Sequence, residues 1–265
     1  MGDIRVLNII VCIKQVPNVE EVYDESESSI NRTKVPLILN PLDNYALSMA
    51  LKLKEVYGGT VTTISMGPSK CRKVLKQVIA TGADESILIL GDEFGAADTY
   101  ATAYTLANAI KKLKNYDLVI TGNKSTDGDT GQVGPSIAEF LKISHITNVF
   151  QIQQINEGSI SIRRKMEKEY LDVILPLPAV LGVTEDVCEI THPTISDIAN
   201  SSKKEVLYWG VNDIDVDESK IGYKGSKTQV IRVRKVVSSK KSTLDYKTQK
   251  DDIKRIFQEI MKGIL

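Results

Sequence analysis

The sequence predicts a doubly wound α/β fold with a parallel sheet, an antiparallel addition and a C-terminal arm. Near-continuous apolar runs, of which residues 6–13 are the first, are typical of parallel strands buried on both faces. Four such runs are each followed by a turn of glycines or short polar residues, and then by a segment with apolar residues at helical spacing. We therefore expect a ligand crevice at the carboxyl ends of the strands.

The first strand is predicted over residues 6–13, VLNIIVCI, because this run is rich in β-branched residues. Its end, with Cys12 and Lys14, is expected to face the crevice, where Lys14 either binds a phosphate or is solvated. After a polar and acidic surface excursion, residues 35–39 are expected to return to the core.

Asn40 and Pro41 are predicted to open the first helix, because asparagine caps free amides and proline fits the first turn. The next unit has a strand over residues 60–65, a turn at Met66 and a helix capped by Ser69. Met66 ends the strand, so it either lies against an adenine ring or belongs to the core.

The third unit combines a strand over residues 86–90 with a helix that starts after small side chains. Asp98 is a plausible N-cap for this helix. The small residues 95–97 before it leave room for a ligand at the helix start.

The fourth unit contains the clearest candidate for a ligand-binding turn. An apolar run at residues 118–120 leads into the loop TGNKSTDGDTGQ, whose glycines Gly122, Gly128 and Gly131 suit a tight turn. A helix predicted to start near Thr130 would point its free amides into this loop, where a phosphate would be stabilised.

The acids in this loop limit what each residue can contact. Asp127 and Asp129 would repel a phosphate, so we assign them to ribose hydroxyls or to capping amides. The spacing fits neither a Walker A loop nor a GxGxxG fingerprint, and an ordinary polar loop with a good N-cap is the alternative interpretation. The phosphate is assigned to the backbone of Gly128, Thr130, Gly131 and Gln132.

Beyond this unit the pattern changes from parallel to antiparallel. Residues 147–155 and 159–162 flank an Asn-Glu-Gly turn and predict a hairpin. The apolar run over residues 171–183 is broken by prolines, which predicts a strand at an edge or a bend rather than a central one.

The last part of the sequence is polar and charged. Residues 191–204 are predicted to form a loop with lone aliphatic side chains. In the tail from Asp213, residues 230–237 resemble a strand and residues 251–265 an amphipathic helix that needs a surface to pack on.

Composition limits the classes of function. The 265 residues are 42% hydrophobic and 26% charged, and the formal net charge is +0, which argues against nucleic acid or a membrane surface as the main partner. The three cysteines are widely spaced and form no CxxC pair, so no metal or cluster site is predicted. Without a secretory signal pattern or a membrane-length apolar run, the expected location is the cytoplasm.

Together these motifs resemble the β subunit of electron transfer flavoproteins. The likeness includes the DGDTGQ loop, VCIKQVPN around Lys14, Asn40-Pro41, the MGP turn after Met66, GAD at residues 82–84 and PAV at residues 178–180, in this order over roughly the first 200 residues. It implies the adenine-nucleotide α-hydrolase-like fold. It also implies a nucleotide- or FAD-binding domain over residues 1–212 and an arm over residues 213–265 that contacts the α subunit.

The resemblance implies a set of binding residues as well. The loop at residues 191–204 would recognise the partner dehydrogenase, with the exposed Ile195 as a hydrophobic anchor. No residue is assigned a catalytic role. The expected cofactor-binding residues lie at strand ends and helix starts: Cys12, Asn40, Pro41, Leu42, Asp43, Met66, Asp98, Thr99, Asp127, Gly128, Asp129, Thr130, Gly131, Gln132 and Val133.

The compact DGDTGQ loop and residues 95–102, GAADTYAT, resemble the electron-bifurcating members. There the β subunit holds FAD and takes electrons from NADH. One goes to ferredoxin or flavodoxin, and the other to a flavin dehydrogenase of the acyl-CoA or 2-hydroxyacid type. The alternatives are a conventional β subunit with structural AMP, a scaffolding subunit, and a nucleotide-sensing protein of the same fold.

Overall fold

The computed structural model describes residues 6–18 and 36–229 of the chain. The strands are β1 (Leu7–Cys12), β2 (Gln15–Pro17), β3 (Leu37–Leu39), β4 (Gly59–Met66), β5 (Glu85–Ile89), β6 (Leu118–Gly122), β7 (Ser144–Asn156), β8 (Ser159–Lys165), β9 (Tyr170–Pro176), β10 (Ala179–Val183) and β11 (Leu207–Trp209). The helices are α1 (Pro41–Tyr57), α2 (Arg72–Thr81), α3 (Thr99–Leu113), α4 (Val133–Leu141), α5 (Ile195–Ser201) and α6 (Gly222–Gly225).

The predicted fold class is confirmed. The described residues form a nine-stranded sheet with the order β11-β5-β4-β1-β6-β10-β7-β8-β9 and a two-stranded sheet of β2 and β3. The pairs from β11 to β7 are parallel, whereas β7-β8-β9 and β2-β3 are antiparallel. Because β4, β1 and β6 are parallel neighbours, their carboxyl ends meet at one edge of the sheet.

The parallel strands are buried on both faces. Leu7, Ile9 and Val11 of β1 belong to an apolar cluster that includes side chains of α1 and α2, while Ile10 and Cys12 belong to a second cluster with side chains of α3 and α4. This double burial explains why the strand has an almost continuous apolar sequence instead of an alternating one.

The run over residues 171–183 is two strands, and the prediction for it is only half right. Strand β9 lies at the edge of the sheet, as expected, but β10 is buried throughout between β6 and β7. Pro178 stands immediately before β10 and so removes no hydrogen-bond donor from that strand.

Two local predictions near helices are wrong. Helix α2 begins at Arg72, after a 3-10 turn over Ser69–Cys71, so Ser69 is not its N-cap. The segment predicted as a loop over residues 191–204 contains α5, which starts with a capping box: the Thr194 hydroxyl accepts from the Asp197 amide, and the Asp197 carboxylate accepts from the Thr194 amide.

The chain divides into two compact units, Met1–Gln229 and Val230–Leu265. Ile214 and Ile221 are buried in the core of the first unit, and the predicted domain boundary after residue 212 stays a prediction. The strand predicted at residues 230–237 and the helix predicted at residues 251–265 lie outside the described residues. In the described part of the chain, none of the helices has both the length and the apolarity to span a membrane.

Candidate functional site

The first turn of α1 joins the ends of β1 and β6. Asp43, in this turn, is only 6% exposed. Its Oδ2 accepts a hydrogen bond from the backbone N–H of Lys14 at 2.7 Å, and its Oδ1 accepts one from the N–H of Gly122 at 3.1 Å. Lys14 follows β1 and Gly122 ends β6, so a single carboxylate ties together two strand ends at the predicted crevice.

Burial controls the ionisation of Asp43 and of the nearby Cys12. It raises the pKa of Asp43 from 3.8 to about 7, although hydrogen bonds from Lys14, Asn40 and Gly122 oppose the rise. Burial and the nearby Asp43 raise the pKa of the Cys12 thiol to about 12. Cys12 is therefore a neutral, buried side chain at neutral pH and no nucleophile.

Asn40 acts differently from its predicted role. Its side chain caps no amide of α1; instead Nδ2 donates to the carbonyl of Lys124 at 3.0 Å and Oδ1 accepts from the N–H of Thr126 at 3.2 Å. The Asn40 backbone N–H donates to the carbonyl of Lys14 at 2.9 Å. The residue is 1% exposed and fixes the first half of the loop over residues 123–132.

Both acids of this loop are paired with lysines. The Lys14 ammonium lies 2.6 Å from Asp127 Oδ1 and 3.3 Å from the hydroxyl of Ser125, and Lys124 lies 2.7 Å from Asp129. Burial raises the pKa of Asp127, but the bonds from Lys14 and Ser125 outweigh this effect, so the net pKa is lowered. These pairs compensate the negative charge that would otherwise repel a phosphate.

The second half of the loop leads into α4. Asp129 and Gly131 have positive φ angles of 51° and 63°, which are not helical. The prediction that the helix starts near Thr130 is therefore wrong. Helix α4 begins at Val133, and Gln132 at its N-cap position provides no side-chain cap among the described residues. The first amides of a helix lack partners within the helix, so the start of α4 offers N–H donors beside the loop.

Gly122 and Gly131 have different structural reasons to be glycine. A Cβ on Gly122 would lie 2.5 Å from Asp43 Oδ1 and 2.8 Å from the carbonyl carbon of Leu42, so no side chain fits there. A Cβ on Gly131 would make only an ordinary contact, at 3.5 Å from the Asn123 carbonyl, but the backbone is left-handed. Pro41, next to Leu42 in the first turn of α1, is exposed.

The start of α3 lies against the same loop. The hydroxyls of Thr99 and Thr130 are 3.5 Å apart. Met66, at the end of β4, is partly buried and packs against the apolar cluster that includes α3 side chains. The structure therefore brings most of the predicted cofactor-binding residues to one edge of the sheet.

Asp98 is the N-cap of α3, as predicted, and it also holds a later segment. Its Oδ1 accepts from the N–H of Ala101 at 3.0 Å, and its Oδ2 accepts from the N–H groups of Lys227 and Thr228 at 2.7 and 2.8 Å. Burial raises the pKa of Asp98, but the bonds from Ala101, Thr228 and Lys227 outweigh this effect and lower it. Both carboxylate oxygens already have protein donors, and a contact with flavin stays a prediction.

Sequence reasoning missed Asn123 and Asn148, which anchor the base of the loop. Asn123 Nδ2 donates to Asn148 Oδ1 at 2.8 Å, and the N–H of Asn148 donates to Asn123 Oδ1 at 3.1 Å. Asn148 has a φ of 57° within β7. An asparagine directly after a strand end was the available signal for Asn123, but its partner is 25 residues away.

Ile195 belongs to the short helix α5. It is the first residue of α5, which packs against α2, and it is 89% exposed. Ile198, one turn later, is 55% exposed. The exposure predicted for Ile195 is confirmed, whereas its partner-recognition role stays a prediction.

This site is chemically a binding site. Helix-start amides and the Lys14 ammonium are donors for an anion, and the carboxylates and hydroxyls of the loop are acceptors and donors for sugar hydroxyls. Among the described residues, no group of three or more His, Cys, Asp or Glu is placed to hold a metal ion.

Comparison with known proteins identifies similar sequences. Residues 28–214 match the family model described as electron transfer flavoprotein domain. The chain is 41% identical to the electron transfer flavoprotein subunit beta of Clostridium acetobutylicum, over 96% of this chain and 94% of the relative. It is 40% identical to the protein of the same name from Thermoanaerobacterium thermosaccharolyticum, over 85% and 86% of the two chains. The caffeyl-CoA reductase-Etf complex subunit CarD of Acetobacterium woodii is 38% identical, over 85% and 87%.

Proposed function

The chain belongs to the electron transfer flavoprotein family, among its β subunits, and we propose that it pairs with an α subunit and binds FAD at the crevice formed by β1, β4 and β6. The heterodimer would pass electrons between a flavin dehydrogenase and other redox partners. In this proposal the crevice residues bind and orient a cofactor, and the flavin supplies the redox chemistry when bound.

The observation that carries the proposal is the loop over residues 123–132, whose shape is fixed by its own chain. Asn40 holds the loop backbone, Lys14 and Lys124 compensate its two carboxylates, and α4 starts beside it. A loop that its own chain holds in one conformation loses less conformational entropy when a ligand binds than a loop without such contacts. This arrangement fits the phosphate and ribose of an adenine nucleotide.

We assign the diphosphate to the amides at the start of α4 and to Lys14, because these groups are the donors at this edge. Asp127 and Asp129 are acceptors suited to ribose hydroxyls. At the start of α3, Thr99 and the small residues 95–97 would face the flavin or a nicotinamide, while Asp98 keeps the helix start in place.

We further assign the chain to the electron-bifurcating subtype. The compact DGDTGQ loop and the small side chains of residues 95–97 support a full FAD in this subunit. NADH would be the donor, ferredoxin or flavodoxin one acceptor, and the partner dehydrogenase the other. The name of the Acetobacterium woodii relative supports a dehydrogenase acting on CoA thioesters over the 2-hydroxyacid type.

The test is to co-express the chain with its α subunit, purify the complex without oxygen, and identify the released nucleotides by mass spectrometry. The bifurcating subtype predicts two FAD and no AMP in each heterodimer, with flavin absorbance bleached by NADH within seconds. One FAD with stoichiometric AMP and no response to NADH would establish the conventional subtype instead. An adenine nucleotide without flavin would favour the nucleotide-sensing alternative, and a preparation without nucleotide would leave only a scaffolding role.

A further inference from the structure

The carboxylate of Asp43 continues the connection between β1 and β6 beyond the point where the strands pair. Val11 and Ile120 are the last residues in register between them. Further along, the N–H groups of Lys14 and Gly122 both point to Asp43, at 2.7 and 3.1 Å. The side chain thus replaces the missing backbone acceptor between two diverging strand ends.

Both strand ends carry parts of the crevice. The Lys14 side chain bonds Asp127 and Ser125, and the loop over residues 123–132 starts directly after Gly122. Asn40, three residues before Asp43, holds the same loop from the other side. A change in the separation of the two strand ends would therefore move Lys14 relative to the loop.

We propose that Asp43 is a positioning residue that acts through the backbone: in its ionised form it sets the spacing between Lys14 and the loop, and its protonation loosens the nucleotide site. This inference rests on the proposed function, because it concerns the same crevice. It differs from the cofactor contact expected at this position, since both oxygens of Asp43 are directed to protein N–H groups.

The need for the ionised form follows from the two donors. A carboxylate accepts hydrogen bonds on both oxygens, whereas a carboxylic acid has one oxygen that carries a proton and becomes a donor. Facing an N–H group, that oxygen would lose its bond and leave a buried donor unsatisfied. One of the two strand ends is then released.

The surroundings place this titration near neutral pH. Burial raises the pKa of Asp43 to about 7, against the opposing effect of its hydrogen bonds and of the Lys14 charge. The groups that face it in the described residues are Cys12 of β1, Lys14 in the segment after β1, the N–H of Gly122 from β6, and the side chain of Asn40 before α1. The Cys12 thiol stays neutral over this range because its own pKa is raised to about 12.

The test compares the wild-type heterodimer with Asp43→Asn from about pH 8 to about pH 5.5. Asparagine has the shape of aspartate, but its amide group faces one N–H with another donor, as the protonated acid would. The wild type should release FAD about tenfold more readily at the acidic end, as expected for the loss of one charge-assisted hydrogen bond of about 1.4 kcal/mol. The Asn variant should bind FAD weakly at every pH, with a flat profile.

A second readout does not depend on the cofactor. Amide hydrogen exchange, expressed as protection factors, should show that peptides containing Lys14 and Gly122 lose protection in the wild type below about pH 7, and in Asp43→Asn already at pH 8. The matched control is Asp84→Asn. Asp84 also accepts a strand N–H, from Val61 at 2.8 Å, but it lies where β4 and β5 begin, at the opposite edge of the sheet.

The outcomes separate the two proposals. If the wild type holds neither FAD nor an adenine nucleotide, the proposed function fails and this inference fails with it. If the wild type binds FAD but Asp43→Asn keeps the same affinity and pH profile, or if Asp84→Asn flattens the profile equally, only the role of Asp43 is overturned. A flat profile in Asp43→Asn, with matching loss of protection at Lys14 and Gly122, supports it.

Discussion

The ammonium group of Lys14 lies 2.6 Å from the carboxylate of Asp127. This ion pair connects the residue that follows β1 with the loop that follows β6, across 113 positions of sequence. Its two members are partly exposed, so its contribution to stability is small. Its position at the crevice, however, places a cation against the loop that leads into α4.

Lys14→Met should weaken FAD binding about tenfold while changing the free energy of unfolding by less than about 1 kcal/mol. Methionine retains an apolar stem of similar length but removes the charge that faces the diphosphate. The dependence of FAD affinity on salt should also decrease, because one ionic contact is lost. Flavin fluorescence titration at two salt concentrations measures the FAD affinity and its dependence on salt.

Lys165→Met is the control for this substitution. Lys165 pairs with Asp186 at 2.5 Å and its side chain has the same 47% exposure as that of Lys14, but it belongs to β8. An equal loss of FAD affinity in both variants would mean that the effect comes from net charge and not from the crevice.

Gly131→Val should lower nucleotide occupancy while the fold remains intact. The backbone φ of 63° at Gly131 strains any side chain by about 1 kcal/mol, and the added methyl groups would block the approach of a diphosphate to the amides of α4. Gly158→Val controls for the strain, because Gly158 has a φ of 78° and open space around it in the β7–β8 turn. Full FAD occupancy in Gly131→Val would exclude the loop as the phosphate site.

Protonation of Asp43 at lower pH should increase the free energy of unfolding, although the same protonation is expected to weaken FAD binding. The pKa of Asp43 is raised to about 7 in the folded protein, so between about pH 4 and pH 7 the folded state binds a proton that the unfolded state has released. The contribution of Asp43 to the free energy of unfolding therefore falls as pH rises through this window, by up to about 4 kcal/mol for a shift of about three units.

Urea denaturation of the wild type and Asp43→Asn at pH 5, 6, 7 and 8 measures this dependence. The difference, wild type minus variant, should decrease with rising pH. Asp98→Asn is the control, because the pKa of Asp98 is lowered. The contribution of Asp98 to the free energy of unfolding is lost only as pH falls below the ordinary range of an aspartate. The free energy of unfolding of the wild type minus that of Asp98→Asn should therefore be flat from pH 5 to pH 8. A difference for Asp43 that is flat or rises with pH would contradict the assigned titration.

The four strand–helix units up to α4 follow from the sequence because they rest on local patterns, whereas the two-stranded sheet of β2 and β3 was not predicted. Continuous apolar runs and helical spacing appear within a dozen residues, and the two-sided burial of β1 is the physical cause of its run. The central position of β10 does not follow from the sequence, because two prolines within one apolar run indicate an interrupted edge strand. In the structure Pro176 ends β9 and Pro178 precedes β10.

The site was only partly predictable because its key bonds are long-range. The sequence Asn40-Pro41 correctly indicates a helix start, but the Asn40 side chain bonds Lys124 and Thr126, which are 84 and 86 positions away. Likewise, the residues next to Asp43 in the sequence do not indicate which two strand ends its carboxylate binds, because these lie 29 and 79 positions away. The short helix α5 could have been predicted from its capping box, but its few apolar residues gave no periodic signal.

Ile195→Ala should slow electron transfer to the partner dehydrogenase by about tenfold while leaving bound FAD and stability unchanged. Ile195 is 89% exposed, so its removal costs the isolated fold little, whereas burying it in an interface would be worth about 1–2 kcal/mol. Steady-state turnover at several dehydrogenase concentrations measures the effect, which should appear as a higher KM for the dehydrogenase. Ile174→Ala is the matched control, because Ile174 is an aliphatic side chain on edge strand β9 and is 72% exposed. Normal turnover of Ile195→Ala, or an equal loss in Ile174→Ala, would remove Ile195 from the recognition surface.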